Sequence, residues 1–344
     1  MSIPVFTARH VYAAVDPSDA VEAVREAFVA HARGEWLMPS KVYVPAPPDG
    51  DFRAMPARGG GYSVLKWVTS FPRNPERGLP TVSGIVLLSD ATDGRLLAEL
   101  DAGALTALRT GAAAVLAAET LAAKDGPAAV VGCGVNGRAV ARTFLARGRD
   151  VLLWDTDPTR AVQVADELGA HPAGSREEAL AAGAVATVTP GHEILFGPGS
   201  LRAGQHVSLM GADGPAKAEI AIEELDRARV VVDEWEKKDP NGILIANGPA
   251  GRMRLFCDEW DQASHAGDLA GAVQAGKLGR EDVAQLGDVL IGRSKGRQSE
   301  HDITVFDSTG LAIQDLAVAI AIYERWRADP SAEAFAGVTE LELA

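Results

Sequence analysis

The chain has 344 residues, of which 47% are apolar and 23% charged, enough for two domains of ordinary size with real cores and too apolar for a disordered protein. Thirty-three Lys and Arg stand against 47 Asp and Glu, a net charge of −14, which argues against nucleic acid or an anionic membrane surface as the main partner. The two cysteines, Cys133 and Cys257, are far apart and lack metal-ligand spacing. With no basic, apolar leader at the N-terminus, they suit a reducing cytoplasm rather than a disulfide scaffold.

In chain order, "DPSDAVEAVREAFVAHARG" reads as a helix with Asp16 or Ser18 as its N-cap. Residues 37 to 100 read as β-rich, in short runs such as "KVYVPA", "GYSVLKWVTS" and "TVSGIVLLSD" separated by Gly, Pro, Asn and Asp. "ALTALRTGAAAVLAAETLAA" is an alanine-rich helix interrupted by Arg109, too short and too broken to span a membrane. From 128 onward strands and helices alternate: "AAVVG", "GRAVARTFLARG", "DVLLWD", "TRAVQVADELG", "AVATVT", "HVSLMGA" and "RVVVD". Such alternation predicts a parallel sheet covered on both faces. Residues 236 to 257 break the pattern and read as an insertion flanked by two Asp-Glu-Trp triplets. A last strand and a long apolar helix in "DITVFDSTGLAIQDLAVAIAIYERW" close the chain, the helix packing back on the N-terminal part. The expected class is α/β. Residues 1–115 and 306–344 are expected to form one α+β domain and 116–305 a second, Rossmann-type domain, which the resemblance described below makes the substrate-binding and dimerisation domain and the NAD-binding domain.

Three groups of residues carry chemistry. In "AAVVGCGVNGRAVARTFL", Gly132, Gly134 and Gly137 form G-x-G-x-x-G between a strand and a helix. The first permits a tight turn, the second lets backbone approach a pyrophosphate, and the third brings helix close to strand. Asp155 follows about 20 residues on, at the end of the next strand, where an acid accepts from ribose hydroxyls and repels a 2′-phosphate; NAD is therefore expected over NADP. The second group is four cations, Lys41, Arg53, Lys66 and Arg109. Each read singly is an ion-paired or snorkelling side chain at a core edge; read together they suit a carboxylate clamp and a cofactor contact, with the Thr81 hydroxyl on the same surface. The third is "MGADGPAKAE", where Asp213 follows a strand end, the place for an acid or base beside a nicotinamide. Its plain alternative is a helix cap within a turn. Neither a G-x-S-x-G elbow, a Walker A loop nor an H-E-x-x-H is present, and no metal site is expected.

Taken in order, "MPSKVYV", "FRAMPA", "LKWV", "GLPTVSG", "LTALRTGAAA", "VVGCGVNG", "GADGPAKAE" and "ITVFDSTGLAIQD" resemble the ornithine cyclodeaminase/mu-crystallin superfamily over nearly the whole chain, and most closely its archaeal-type alanine dehydrogenase branch. The resemblance implies a homodimer whose first domain binds substrate while the second holds the nicotinamide cofactor. It makes Lys41 and Lys66 contacts of the substrate carboxylate with catalytic roles, joined by Arg53. Thr81, Arg109, Val135, Asn136, Asp155 and Lys217 become cofactor contacts, with Thr189 and Met210 on the same side. Asp213 becomes the proton donor and acceptor. Ser308, Thr309 and Gly310 become the late loop near nicotinamide and substrate. Cyclodeaminases of the superfamily carry arginine at the place of Lys41 and glutamate at that of Arg53. A glutamate suits a diamino acid's ammonium, which an arginine repels. The expected activity is NAD-dependent oxidative deamination of a small L-amino acid. A cyclodeaminase, a cyclic-imine (ketimine) reductase and a non-catalytic crystallin-like NAD(P)-binding protein are the alternatives.

Overall fold

In the computed structural model the chain forms two compact units, one of Met1–Ala113 with Leu311–Ala344, the other of Ala114–Gly310. The structure describes residues 2–343 except 124–125, 213, 215–216, 230–234, 239–243 and 249–251, and describes 229, 235–238 and 244–248 by backbone alone. Asp213 therefore lies outside the described residues. Among those described, no helix is long and apolar enough to cross a membrane.

The first unit opens with strand β1 (Ser2–Phe6) and helices α1 (Ala8–Ala14) and α2 (Pro17–Ala32). Of the two N-cap candidates, Asp16 is the cap: its carboxylate accepts from Ser18 N at 2.7 Å and Asp19 N at 3.1 Å, with Pro17 at the first helical position. Ala20, Val21, Val24, Ala27 and Phe28 recur at helical spacing and are buried. Strands β2 (Val42–Ala46), β3 (Gly50–Gly59), β4 (Tyr62–Ser70), β5 (Val82–Asp90) and β6 (Leu96–Asp101) follow, then α3 (Ala102–Leu121), which crosses the boundary between the units.

In the second unit come β7 (Ala128–Val131), α4 (Val135–Ala146), β8 (Val151–Trp154), α5 (Pro158–Leu168), β9 (His171–Pro172), α6 (Arg176–Leu180), β10 (Ala184–Thr187), β11 (His206–Leu209) and α7 (Ile222–Asp226). A separate antiparallel hairpin, β12 (Trp235–Lys238) and β13 (Leu244–Gly248), precedes β14 (Met253–Cys257), α8 (Trp260–Ala266), α9 (Ala270–Gln274), β15 (Val283–Gln285), α10 (Leu286–Leu290) and β16 (Ile303–Asp307). The chain returns to the first unit with α11 (Ala312–Ala328) and β17 (Thr339–Glu342).

The sheet of the first unit runs β17-β1-β6-β5-β4-β3-β2, antiparallel except for the β1–β6 pair. Along β4, Val64, Lys66 and Val68 are buried while Leu65 and Trp67 are each 40% exposed, so strand alternation turns Lys66 inward. Helix α11 packs against β3 and β4 on that inward face. The short strand β1, with proline in its middle, has no place in the sequence reading. It is tied by pairing to β6 and β17 rather than by any periodicity of its own.

The sheet of the second unit runs β15-β14-β16-β11-β10-β7-β8-β9 and is parallel throughout. Strands β7, β10, β11 and β16 are buried at every position, as a sheet covered on both faces requires. From β7 the chain runs outward to β8 and β9, then returns to β10 on its other side. The switch point of this doubly wound, Rossmann-type sheet therefore lies beside the loop after β7. One expectation is corrected here. Residues 253–257, read as the end of an insertion, form β14, paired between β15 and β16. Two apolar runs each end in Asp-Glu-Trp, and sequence alone has no means of choosing which enters the sheet. The second does, and most of the first lies outside the described residues.

His206 opens β11 in full burial, its Nδ1 2.9 Å from Thr304 Oγ1 and its Nε2 2.9 Å from Ser208 Oγ. Burial, reinforced by Arg297 and Arg149, pushes its pKa down to about 3 from the ordinary 6.5. With the folded value depressed, the unfolded chain binds the extra proton, so stability is held above pH 6.5 and lost as pH falls towards 3. Between pH 7 and 4.5 that loss is on the order of 2–3 kcal/mol. His206→Gln is expected to flatten this acid limb, measured by urea unfolding at a series of pH values; an unchanged limb would assign the acid sensitivity elsewhere.

Candidate functional site

The loop after β7 shows why its three glycines are needed. Gly132 has φ of +101°, and a Cβ there would lie 2.6 Å from Val188 O. A Cβ on Gly137 would lie 1.7 Å from Gly132 O, so any side chain would push α4 off the strand. Over Gly134, the N-cap of α4, nothing stands within 4 Å of the Cβ position. The result is an open backbone cradle at a helix N-terminus, which fits the pyrophosphate of a dinucleotide. Asp155, at the end of β8, is buried and ties the cradle down, its Oδ2 accepting from Cys133 N at 2.7 Å. Burial, with Asp155 adding to it, raises the Cys133 thiol to about 12, so the cysteine inside the cradle is not a nucleophile. Val135 and Asn136 begin α4, Val135 with its side chain 69% exposed beside the cradle.

A second set of groups gathers at the carboxyl ends of β10, β11, β14 and β16. Buried Glu219, the last residue of "MGADGPAKAE", accepts from Thr187 Oγ1 and Thr189 Oγ1, each at 2.6 Å, while its own amide donates to Asp268 at 2.5 Å. Backbone bonds fasten the two ends of the stretch that carries Asp213 and Lys217: Met210 at one end donates its amide to Thr187 O at 2.9 Å, and Ala218 N at the other donates to Gly191 O at 2.9 Å. Asp258, immediately after β14, accepts from Ser308 Oγ at 3.2 Å, Thr309 Oγ1 at 3.2 Å and Gly310 N at 2.8 Å. All three residues of the expected late loop thus converge on one carboxylate. Burial raises the pKa values of Glu219 and Asp268, and that of Asp307 to about 8.

In the first unit the structure brings three of the four expected cations into one field. Lys66 Nζ lies 2.9 and 2.8 Å from the two carboxylate oxygens of Asp315 and 3.3 Å from Thr106 Oγ1, all buried. Arg109, one turn along α3 from Thr106, has its Nε 3.4 Å from Asp315 and donates from Nη1 to Gln314 Oε1 at 3.2 Å. Asp315 and Gln314 stand in the first turn of α11, where a helix end favours an acid. Arg53 is buried over the Tyr43 ring, with its Nε 2.5 Å from Asp51. Burial pushes Lys66 down to about 8; Asp315 opposes the shift and Arg109 and Arg53 add to it. Gln314 Oε1 also accepts from Leu311 N at 3.2 Å, which turns the amide nitrogen the other way. That nitrogen and Arg109 Nε are buried donors without a hydrogen-bond acceptor among the described residues. Lys41 stands half-buried just before β2, and Thr81 is exposed just before β5, its carbonyl accepting from Phe71 N at 2.8 Å.

Asp315, Gln314, Thr106, Asp258 and Glu219 escaped the sequence reading. Each is a lone polar residue on a helix, after a strand or, for Glu219, in a loop bend, where a solvated or capping role is the default. Only the buried neighbours it meets in the fold set it apart.

Over 335 residues the chain is 37% identical to an alanine dehydrogenase of Archaeoglobus fulgidus, covering 94% of this chain and 95% of that protein. It is 30% identical over 285 residues to a Delta(1)-pyrroline-2-carboxylate reductase of Bacillus cereus, covering 79% and 80%. The solved structure of an archaeal alanine dehydrogenase dimer with bound NAD superimposes with a TM-score of 0.86 at 33% identity, covering 100% of both chains. Residues 4–330 fit the sequence profile of one family from end to end, and the chain belongs to it: the ornithine cyclodeaminase/mu-crystallin family.

Proposed function

We propose that the chain is an NAD-dependent oxidoreductase acting on the CH–NH₂ or C=N group of an amino acid, with oxidative deamination of a small L-amino acid such as alanine as its reaction. The observation that carries this reading is the charge balance around Asp315. One buried carboxylate faces both Lys66 and Arg109, the latter through an Nε 3.4 Å away that makes no hydrogen bond to it, and Gln314 Nε2 is a second buried donor without an acceptor among the described residues. Anionic ligand groups at this cluster, the substrate carboxylate beside Lys66 and the cofactor beside Arg109, supply the missing charge and the missing acceptors. Lys66, Arg53 and Lys41 are its proposed contacts, and Gly310 a backbone contact. Arg53 also disfavours a second ammonium on the substrate, which supports a small side chain over ornithine.

The glycine cradle, Asp155, Val135 and Asn136 are the proposed NAD contacts, with Thr81, Arg109, Thr189, Met210, Lys217, Ser308 and Thr309 completing the set. NAD, when bound, supplies the hydride acceptor. Lys66 holds its proton below about pH 8 and so keeps the carboxylate oriented while the Cα–H bond breaks. Asp213 takes the proton from the substrate nitrogen and delivers it to water or to the imine. A homodimer in the cytoplasm completes the proposal. The outer face of the first unit's sheet supports the dimer: Trp67 and Ile85 are direct cross-strand neighbours there, and Leu65 is exposed with them.

A substrate panel followed by NADH absorbance tests the reading. NADH formed from alanine and NAD is the expected result. Proline and ammonia from ornithine without net NADH would replace it with a cyclodeaminase, and NADH consumed only with a cyclic imine would replace it with a reductase. Nucleotide binding without any turnover would leave a crystallin-like protein.

A further inference from the structure

The acid expected to exclude NADP does not stand alone. Asp155 Oδ2 accepts from Cys133 N at 2.7 Å and Oδ1 from Asp157 N at 2.9 Å, so two backbone amides already fix the carboxylate, with Thr156 Oγ1 at 3.4 Å. Arg160, in the first turn of α5, reaches the same carboxylate with Nη1 at 3.3 and 3.5 Å and Asp157 with Nη2 at 3.6 Å. Those separations exceed the roughly 2.7–2.9 Å of a well-formed charge-assisted bond, and half of the arginine side chain is open to solvent. Arg138, also at the start of a helix in this unit, is instead engaged by Glu167 at 2.5 Å. Arg160 is thus a loosely held cation beside the carboxylate that faces the adenosine ribose, and Asp155 keeps its position without it.

We propose that Arg160 is a latent receptor for the 2′-phosphate of NADP, so that the adenosine end of this site admits both nucleotides and Asp155 only sets the order of preference. The proposal rests on the nucleotide reading of the glycine cradle. A carboxylate repels a phosphate dianion, whereas a guanidinium turned a few degrees from that carboxylate offers two parallel N–H donors to it. The ribose hydroxyls of NAD take the remaining lone pairs of Asp155. The phosphate of NADP draws Arg160 away from the acid.

The test is a double-mutant cycle on the full chain, titrating NADH and NADPH by their own fluorescence and comparing the ratio of the two Kd values. Arg160→Ala, at a half-exposed position, is expected to weaken NADPH about three- to tenfold relative to NADH. Asp155→Asn, which keeps an acceptor for Cys133 N, is expected to strengthen NADPH about tenfold or more relative to NADH. In the double variant most of that gain should vanish. A ratio unmoved by Arg160→Ala, or an Asp155→Asn gain that survives without Arg160, overturns the proposal. If neither nucleotide binds the unaltered chain, the cradle reading fails and the proposal falls with it; binding of both with an unmoved ratio overturns the Arg160 role alone.

Discussion

Asp315→Asn is expected to lower kcat/KM roughly 10²–10³-fold and to move its alkaline limb to lower pH. The loss follows from leaving Lys66 and Arg109 without the counter-charge that holds them in place, and removing one partner of a buried pair also costs about 3–5 kcal/mol of stability. The pH shift is the sharper signature. Lys66 titrates at about 8 because burial lowers it and Asp315 opposes burial. With the carboxylate neutralised only the lowering influences remain, namely burial, Arg109 and Arg53, and the ammonium is lost at a lower pH. Activity that needs protonated Lys66 then falls away earlier. Asp315→Glu should recover part of the rate and return the limb towards its original position. A variant that is merely less stable would lose amplitude with its limb in place, and that outcome would remove Asp315 from any role in holding the charge on Lys66.

Asp213→Asn is expected to reduce kcat by about 10³-fold or more, within the range that general acid–base groups supply, while NADH affinity stays within about threefold. Asparagine keeps the size and a hydrogen-bond acceptor of aspartate but does not take up a proton at neutral pH, so binding and proton transfer separate cleanly in this variant. Single-turnover measurements with excess enzyme distinguish a slowed chemical step from slowed release. Unaltered turnover would return Asp213 to the status of a loop residue.

The parts of this molecule that could be read from sequence are those in which a residue type answers a backbone demand. Gly132 and Gly137 could be placed because steric exclusion at a strand-to-helix turn admits nothing larger, and the fold repeats that exclusion atom by atom. Lys66 could be singled out because a charge on the buried side of a two-residue alternation needs a reason. What stayed hidden was the reason itself. Asp315 lies 249 residues away along the chain, and no local pattern links it to Lys66. Strand β14 was misplaced for a different cause: near-duplicate runs give the same local signal, and only long-range pairing with β15 and β16 distinguishes them. Glu219 was legible as part of a motif but not as its anchor, because burial, not sequence, separates it from the exposed Glu223 that follows.

The discontinuity of the first unit has a consequence for biosynthesis. Ala114–Gly310 is contiguous and can complete its sheet as soon as it has left the ribosome, whereas the unit that starts first also needs Leu311–Ala344, which is made after it. Until α11 arrives, Lys66 and Arg109 lack their counter-ion and the inner face of β3 and β4 lacks its cover. The order of translation is thus the reverse of the order of completion, and a chain halted before Leu311 would carry an open half-domain with the Lys66 and Arg109 charges uncompensated, a form for chaperones to hold rather than an enzyme.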